Sequence, residues 1–170
     1  MLREIAELIR DGMPADQLLT LILDKAMQVM AVHNGSVFLV DPQEADGLRL
    51  VAAKPEVVLE NPGGDHAPHR CSLVKSVIES GKTLRIAGLE NDPKYGSSYF
   101  ISMPVYKSRQ VIAVVNLANK ENSGIFTEGD ERIWSIMLGV IGTGIENISL
   151  RNKVKLQLAD IKELTGMHKK

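Results

Sequence analysis

The sequence lacks several features that would place it in a specialised class of proteins. It contains a single cysteine, Cys71, so it cannot form an internal disulfide and suits a reducing compartment. Aromatic residues make up only 4% of the chain, and a formal net charge of −1 provides no field that would attract nucleic acid. The N-terminus does not resemble a signal peptide, and no apolar stretch is uninterrupted for the length of a membrane span. We therefore expect a cytoplasmic protein that binds neither nucleic acid nor membrane.

The sequence does have the composition of one ordinary globular domain. Of its 170 residues, 44% are hydrophobic and 24% are charged, which suffices for a single core. After a short N-terminal helix, the spacing of apolar residues predicts a helix, two strands, a helix, three strands and a long helix. This order is typical of an α+β fold in which helices flank a central antiparallel sheet. We expect an N-terminal helix at 1–12, the domain itself at 13–150 and a C-terminal helical extension at 151–170.

Turn residues and helix caps set the expected ends of each element. The predicted strands cover residues 36–40, 48–53, 83–87, 99–106 and 110–117. The predicted helices cover residues 2–10, 15–33, 72–80 and 127–165. Asn34-Gly35 is expected to form the turn after the second helix, and the proline- and glycine-rich residues 54–70 are expected to be a loop.

One short segment joins the end of a predicted strand to the start of the last helix. Asn119-Lys120 is followed by Phe126 and then by Asp130-Glu131. An ion pair between the lysine and a carboxylate would hold the strand end against the helix, and the acidic residues suit the dipole at a helix N-terminus. Thr127 and Asp130 have the spacing of a capping box in which Asp replaces the usual Glu or Gln. We expect a structural clamp here, with direct ligand contact as the alternative.

Three stretches of the sequence together resemble the GAF family. They are GSVFLVD…GLRLVAA, SLVKSVIESGKTLRIA, and the stretch from Phe100 to Glu131, whose Asn-Lys…Phe…Asp-Glu pattern is similar to that of cyclic-nucleotide-binding members. The resemblance implies a regulatory, sensory domain in signal transduction, with a cyclic nucleotide as one candidate ligand. Two positions differ from the nucleotide-binding pattern, because Arg70-Cys71-Ser72-Leu73 replaces a glycine-containing run and Asn116 replaces an acidic residue. The ligand is therefore left open.

Strand alternation predicts which side chains face the ligand pocket that the resemblance implies. If Asn116 faces the pocket, Val114 and Ala118 do as well, while Val115 and Leu117 face the helices on the other side. The candidate ligand-binding residues are Ser36, Phe38, Cys71, Ser72, Asn91, Tyr95, Ser98, Ser102, Val114 and Asn116.

The sequence contains no recognisable set of catalytic residues. Free-methionine-sulfoxide reductases are GAF-like enzymes, but disulfide exchange needs an attacking and a resolving thiol, and this chain has Cys71 alone. We therefore expect that the chain is not an enzyme. Cys71 is followed by Ser72 rather than histidine, so no bilin is expected, and His66 and His69 in a predicted loop do not indicate a heme or metal site. The cofactor is left unassigned.

The terminal helices indicate how such a domain would pass on a signal. Val154, Leu158 and Ile161 continue the apolar spacing of the last helix beyond the domain. Within the domain, this helix is already rich in Ile133, Met137, Ile141, Ile145 and Ile148. Helices of this kind commonly pair with a copy of themselves, so we expect a homodimer through a coiled coil. The alternative is a ligand-free dimerisation module within a signalling protein.

Overall fold

The computed structural model describes residues 3, 6, 7, 10–54, 67–87, 99–121 and 124–167. Arg3, Ala6, Glu7 and Arg10 are helical. The helices that follow are α1 (Ala15–Met30), α2 (Ala67–Ser80) and α3 (Glu128–Met167). The strands are β1 (Val32–Val40), β2 (Leu48–Lys54), β3 (Leu84–Ala87), β4 (Tyr99–Lys107) and β5 (Gln110–Lys120).

The five strands form one sheet in the order β2-β1-β5-β4-β3, and every neighbouring pair is antiparallel. β1 and β2 form a hairpin, as do β4 and β5, whereas the central β1–β5 pair joins strands that are distant in the chain. The predicted α+β class with a central antiparallel sheet flanked by helices is confirmed.

The main core lies between one face of this sheet and the helices α1 and α3. The apolar residues of α1 recur at helical spacing, and six of its residues are buried. Trp134 of α3 and Phe126 of the preceding loop are fully buried in the same cluster. The opposite face of the sheet carries a smaller cluster, in which Val74 and Val77 of α2 pack against Val111 and Val114 of β5.

Asn34-Gly35 does not form the predicted turn, because both residues lie within β1. α1 ends at Met30, and the next residue, Ala31, adopts the left-handed conformation with φ 48°. The glycine instead permits a close approach of helix to sheet. A Cβ on Gly35 would lie 2.7 Å from Cδ1 of Leu23.

The predicted loop at 54–70 is also partly wrong, since α2 begins at Ala67 rather than at Ser72. Pro68 lies in the first turn of this helix, where its missing N–H would have no intrahelical partner in any case. Proline therefore starts this helix rather than preventing it. His69, expected in a loop, occupies a helical position as a result.

α3 lies unusually close to β4 at Gly142. A Cβ built on this glycine would stand 2.8 Å from the carbonyl carbon of Tyr106 and closer still to its oxygen. Since the obstructing atoms belong to the backbone of β4, a rotamer change cannot relieve the overlap. The packing of α3 on the sheet therefore depends on glycine at this position.

We expect Gly142→Ala to lower the free energy of unfolding by at least about 2 kcal/mol, because α3 must move away from the sheet. Gly139→Ala is the matched control, since it lies one turn earlier on an exposed part of α3 with no atom within 4 Å of its Cβ position. That control should raise stability by about 0.5–1 kcal/mol through helix propensity. Urea unfolding at one fixed protein concentration measures both, and equal effects would contradict the close approach.

Candidate functional site

Strand register brings together three polar side chains that the sequence analysis had singled out. Ser36 on β1 and Ser102 on β4 each pair directly with Asn116 on the intervening strand β5. Directly opposed residues in neighbouring strands face the same side of a sheet. The Ser102 hydroxyl donates to Oδ1 of Asn116 at 2.6 Å, and Nδ2 of Asn116 donates to Oγ of Ser36 at 3.2 Å. We call these three residues the polar row.

The polar row lies on the face of the sheet that α2 partly covers. Val114 is two residues before Asn116 and belongs to the cluster with α2, and Phe38 packs against the same cluster. Val115 and Leu117 lie instead in the main core on the other face. Whether these side chains contact a ligand stays a prediction.

The described residues that pair with the two ends of the polar row are apolar and uncharged. Ser36 pairs with Ala53 on β2, and Ser102 pairs with Leu84 on β3. Ser102 is fully buried and Ser36 is nearly so, while Asn116 is half-buried. The arrangement can form directional hydrogen bonds with a neutral polar group, because hydroxyl and amide groups both donate and accept. It offers neither a charged partner nor an acid–base pair.

The remaining predicted ligand-binding residues are not brought to this row by the described structure. Asn91, Tyr95 and Ser98 lie outside the described residues. Cys71 occupies a helical position in α2, but its side chain is outside the description, and Ser72 is exposed on that helix. Their part in ligand binding stays a prediction.

Lys120 and Asp130 form an ion pair that joins the end of β5 to the first turn of α3. Nζ of Lys120 lies 2.7 Å from Oδ2 of Asp130 and 5.8 Å from the centre of the Phe126 ring. The same carboxylate oxygen accepts from the backbone N–H of Thr127 at 2.8 Å and from its hydroxyl at 3.0 Å. The backbone N–H of Asp130 donates in return to Oγ1 of Thr127 at 3.1 Å. These reciprocal bonds form the Asp-containing capping box.

The environment of Asp130 favours its charged form. Burial alone would raise the pKa of this carboxyl, but hydrogen bonds from Lys120 and Thr127 outweigh burial and hold the pKa below its ordinary value of 3.8. Both members of the ion pair are about four-fifths shielded from solvent, with side-chain exposures of 23% for Lys120 and 19% for Asp130. Salt therefore screens this pair less than it would a surface pair.

Two other residues of the motif have roles that sequence reasoning did not assign. Asn119 has a positive φ of 56°, a conformation that asparagine tolerates better than most residues, and it redirects the chain at the end of β5. Glu131 does not pair with Lys120. Its Oε2 lies 3.7 Å from Nε of Arg85 on β3, so the motif joins α3 to two different strands.

Arg85 is the residue of this junction that the sequence analysis missed. Its guanidinium donates to the carbonyl oxygen of Phe126 at 3.1 Å and lies 3.7 Å from a carboxylate oxygen of Glu128. The available signal was a lone arginine in an apolar strand with three acidic residues in the first turn of the last helix. Sequence spacing alone could not show that the edge strand β3 reaches that turn.

The described residues provide no evidence for two other kinds of site. Within residues 3, 6, 7, 10–54, 67–87, 99–121 and 124–167, no group of three or more His, Cys, Asp or Glu side chains could hold a metal ion. No helix in the same parts of the chain is long and apolar enough to cross a membrane.

Comparison with known protein families identifies the family to which this fold belongs. The family model of the GAF domain matches residues 12–146, and the chain therefore belongs to the GAF domain family. The dual 3′,5′-cyclic-AMP and -GMP phosphodiesterase 11 of Drosophila melanogaster is 27% identical over 179 residues. That match covers 91% of this chain but only 12% of the phosphodiesterase, so the chain spans a small part of this relative.

Solved structures of other proteins share the fold of this chain. The GAF domain from the phosphoenolpyruvate-protein phosphotransferase of Acinetobacter has a TM-score of 0.61 and 19% sequence identity to this chain. The alignment covers 85% of this chain and 89% of the Acinetobacter domain. At this level of identity, the likeness establishes the fold alone.

The prediction that the chain is not an enzyme is wrong, because this fold also occurs in an enzyme. The free methionine-R-sulfoxide reductase from Neisseria meningitidis shares the fold, with a TM-score of 0.64, 15% identity and coverage of 88% of this chain and 89% of that chain. Catalysis is thus compatible with this architecture, and the cysteine count did not justify excluding enzymes as a class. At 15% identity the likeness assigns no activity to this chain.

The lowered pKa of Asp130 predicts a particular pH dependence of stability. A group with a lower pKa in the folded state stabilises above its unfolded pKa, and that contribution is lost as the pH falls through the folded pKa. We expect Asp130→Asn to lower the free energy of unfolding near pH 7 by about 1 kcal/mol, because the charge that Lys120 and Thr127 bind is removed. The difference from the wild type should shrink below about pH 4.

Urea unfolding between about pH 7 and pH 3 measures this difference. Glu128→Gln is the control, since it removes an acidic charge from the same turn at a side chain that is 81% exposed. Its effect should stay within about 0.5 kcal/mol across the pH range. A loss for Asp130→Asn that is the same at both ends of the range would show that the charge is not responsible.

Proposed function

We propose that this chain is a sensory GAF domain that binds a small molecule over the polar row and passes the signal on through dimeric helices. The observation that carries the proposal is the polar row itself. A fully buried hydroxyl and a half-buried amide occupy the middle of an otherwise apolar face, where burial of polar groups is unfavourable unless they are hydrogen-bonded. A row of hydrophobic side chains would be buried on this face with a smaller free-energy penalty. The presence of polar side chains here therefore supports a role in ligand recognition.

The hydrogen-bonding capacity of Asn116 supports a ligand at this position. An asparagine amide has two donor hydrogens and a carbonyl oxygen with two lone pairs. The bonds to Ser36 and Ser102 use one donor and one lone pair, so the amide retains a donor and an acceptor for a ligand. Such a pair suits a neutral group that both accepts and donates, for example the edge of a nucleobase or an amide.

A cyclic nucleotide is one candidate ligand on the basis of the motif and of the phosphodiesterase relative. The relative is named for cyclic AMP and cyclic GMP, and the match covers most of this chain. The absence of a charged residue from the polar row favours contact with the base over contact with the phosphate.

The connection from the polar row to α3 is short. Asn116 lies four residues before Lys120 on β5, and Lys120 binds Asp130 in the first turn of α3. A ligand that displaces β5 would therefore act on α3 through the ion pair between Lys120 and Asp130. It would control an output only if it bound two arrangements of the helices with different affinities.

The second candidate function is a ligand-free dimerisation module. The observation that favours it is that the three residues of the polar row already bond one another, so the row is partly satisfied without a ligand. The two functions differ in whether any small molecule stabilises the folded chain.

A thermal-shift experiment with cyclic AMP, cyclic GMP and free methionine-R-sulfoxide separates the two functions. A ligand of the folded state at 100 times its dissociation constant stabilises by about 2.7 kcal/mol. We expect such a shift for the wild type and its loss in Asn116→Leu, which keeps the side-chain size but removes the amide. Ser108→Ala, an exposed position in the turn between β4 and β5, should retain it.

Mass spectrometry of the protein as purified extends the search to ligands outside this panel. A copurified small molecule that is absent from Asn116→Leu would support the sensory function. If the wild type carries no small molecule and responds to none of the three compounds, the dimerisation module is the better description.

A further inference from the structure

Tyr106, near the end of β4, contacts helices on both faces of the sheet. Its side chain packs against the cluster that contains Val74 and Val77 of α2, on the face that carries the polar row. Its backbone carbonyl faces Gly142 of α3, which packs on the opposite face. One residue of the sheet therefore connects the helix beside the polar row with α3.

The contact between Tyr106 and α2 holds the end of that helix. The hydroxyl of Tyr106 donates a hydrogen bond to the carbonyl oxygen of Gly81. Gly81 directly follows Ser80, the last residue of α2, and has a left-handed φ of 63°. Its N–H donates to the carbonyl of Val77 at 2.9 Å, which closes the last turn. A backbone carbonyl at the end of a helix lacks an intrahelical partner, so the tyrosine hydroxyl supplies one.

The local geometry of β4 explains how one residue reaches both helices. β3 pairs with β4 from Tyr99 to Ser102, so Tyr106 lies beyond the part of β4 that this edge strand covers. The pairing of β4 with β5 is also irregular between Val105 and Tyr106. An irregularity of this kind bends the strand and redirects the side chains beside it. The backbone of β4 is therefore accessible to α3 at the point where the Tyr106 side chain turns towards α2.

The turn after β4 extends the contact with α3. Oγ of Ser108 donates to Oε1 of Glu146 at 2.6 Å. Glu146 is about one helical turn after Gly142, so the end of the β4–β5 hairpin touches two successive turns of α3.

Gly142 belongs to the face of α3 that packs on the sheet. Ile141 and Ile145 on this face are buried. α3 has a second apolar face, which is exposed and includes Ile133, and the sequence analysis did not separate the two faces. A displacement of β4 at Tyr106 would therefore act on the buried face of α3, where closely packed side chains transmit strain.

We propose that Tyr106 couples α2 to α3 across the sheet, so that a change in the position of α2 over the polar row reaches α3 at Gly142. The inference deepens the proposed function and rests on it, because a small molecule over the polar row would lie beside α2. Val114, which packs against α2, is two residues from Asn116. Gly142 is twelve residues after Asp130, about 18 Å along α3, so the sheet would act on this helix at two separate points.

Amide NMR spectra of the isotope-labelled protein test whether α2 and α3 are coupled through the Tyr106 hydroxyl. Gly81→Ala places a Cβ 2.6 Å from that hydroxyl oxygen and so displaces the side chain. We expect shifted N–H resonances at residues 138–146 of α3 and at the indole of Trp134, the one tryptophan of the chain. A resonance position in the folded state does not depend on the free energy of unfolding, so a loss of stability alone would not produce these shifts.

The same substitution in a Tyr106→Phe background tests the route. Tyr106→Phe keeps the ring but removes the hydroxyl, and the next nearest ring atom, Cζ, is 3.7 Å from the Cβ position of Gly81. That distance is an ordinary van der Waals contact, so Gly81→Ala should no longer displace the ring. We therefore expect the shifts in α3 to be lost in this background.

Gly47→Ala is the matched control for backbone strain. Gly47 also has a positive φ, 70°, but no atom lies within 4 Å of its Cβ position, so the α3 resonances should not move. Ser80→Ala is a second perturbation of the end of α2, since it removes the acceptor of the Lys82 N–H at 3.2 Å without adding an atom. It should shift the α3 resonances in the wild type and not in the Tyr106→Phe background.

Three results would overturn the coupling. They are shifts confined to α2 and β4, α3 shifts that persist in the Tyr106→Phe background, and α3 shifts of equal size in Gly47→Ala.

These spectra contain no ligand, so failure of the coupling can be separated from failure of the proposed function. A Tyr106-dependent coupling in a protein that no tested compound stabilises would overturn the sensory role and leave the connection intact. A ligand response without this coupling would overturn the role of Tyr106 and leave ligand binding intact.

Discussion

The carboxylate of Asp130 is the point at which the sheet, the preceding loop and α3 are joined. One of its oxygens binds Lys120 at the end of β5 and both donors of Thr127 at the start of α3. The ring of Phe126 fills the core beneath this junction. One charged group therefore satisfies the strand end and the helix cap together and holds the first turn of α3 against the end of β5. Arg85 adds a second connection from β3, so α3 is held by the central strand and by an edge strand.

Much of the fold could be predicted from the sequence, because apolar periodicity and turn chemistry agree along most of the chain. The errors have identifiable physical causes. Asn34-Gly35 reads as a turn, but both residues continue β1, and the side chains of Leu23 and Met27 on α1 pack over the glycine, a contact that no local pattern records. Pro68 reads as a helix breaker, although it lies in the first turn, where proline is tolerated. The two faces of α3 could not be separated without knowing which side packs on the sheet.

The candidate site could be predicted only where strand alternation and register decide it. Ser36, Ser102 and Asn116 were singled out from three separate strands, and the pairing of those strands makes them neighbours. Arg85 was missed because its partners become neighbours only through the order β4-β3 at the sheet edge. The clamp joins β5 to α3 on one side of the sheet, and the polar row faces α2 on the other, so the proposed recognition and transmission would use opposite faces of the same strand.

The contact between Gly142 and the carbonyl of Tyr106 has a mechanical consequence for α3. A helix that slid along the sheet by about one turn would bring a side chain from the same side of the helix, Leu138 or Glu146, onto that carbonyl, so such a displacement is sterically blocked. Tilting about Gly142 keeps the glycine opposite that carbonyl, so the contact allows the glycine to act as a fulcrum. The arm from Gly142 back to Glu128 is about 21 Å long, and the arm forward to Met167 is about 38 Å. A small tilt at the clamp would thus become a displacement nearly twice as large at the far end of the helix.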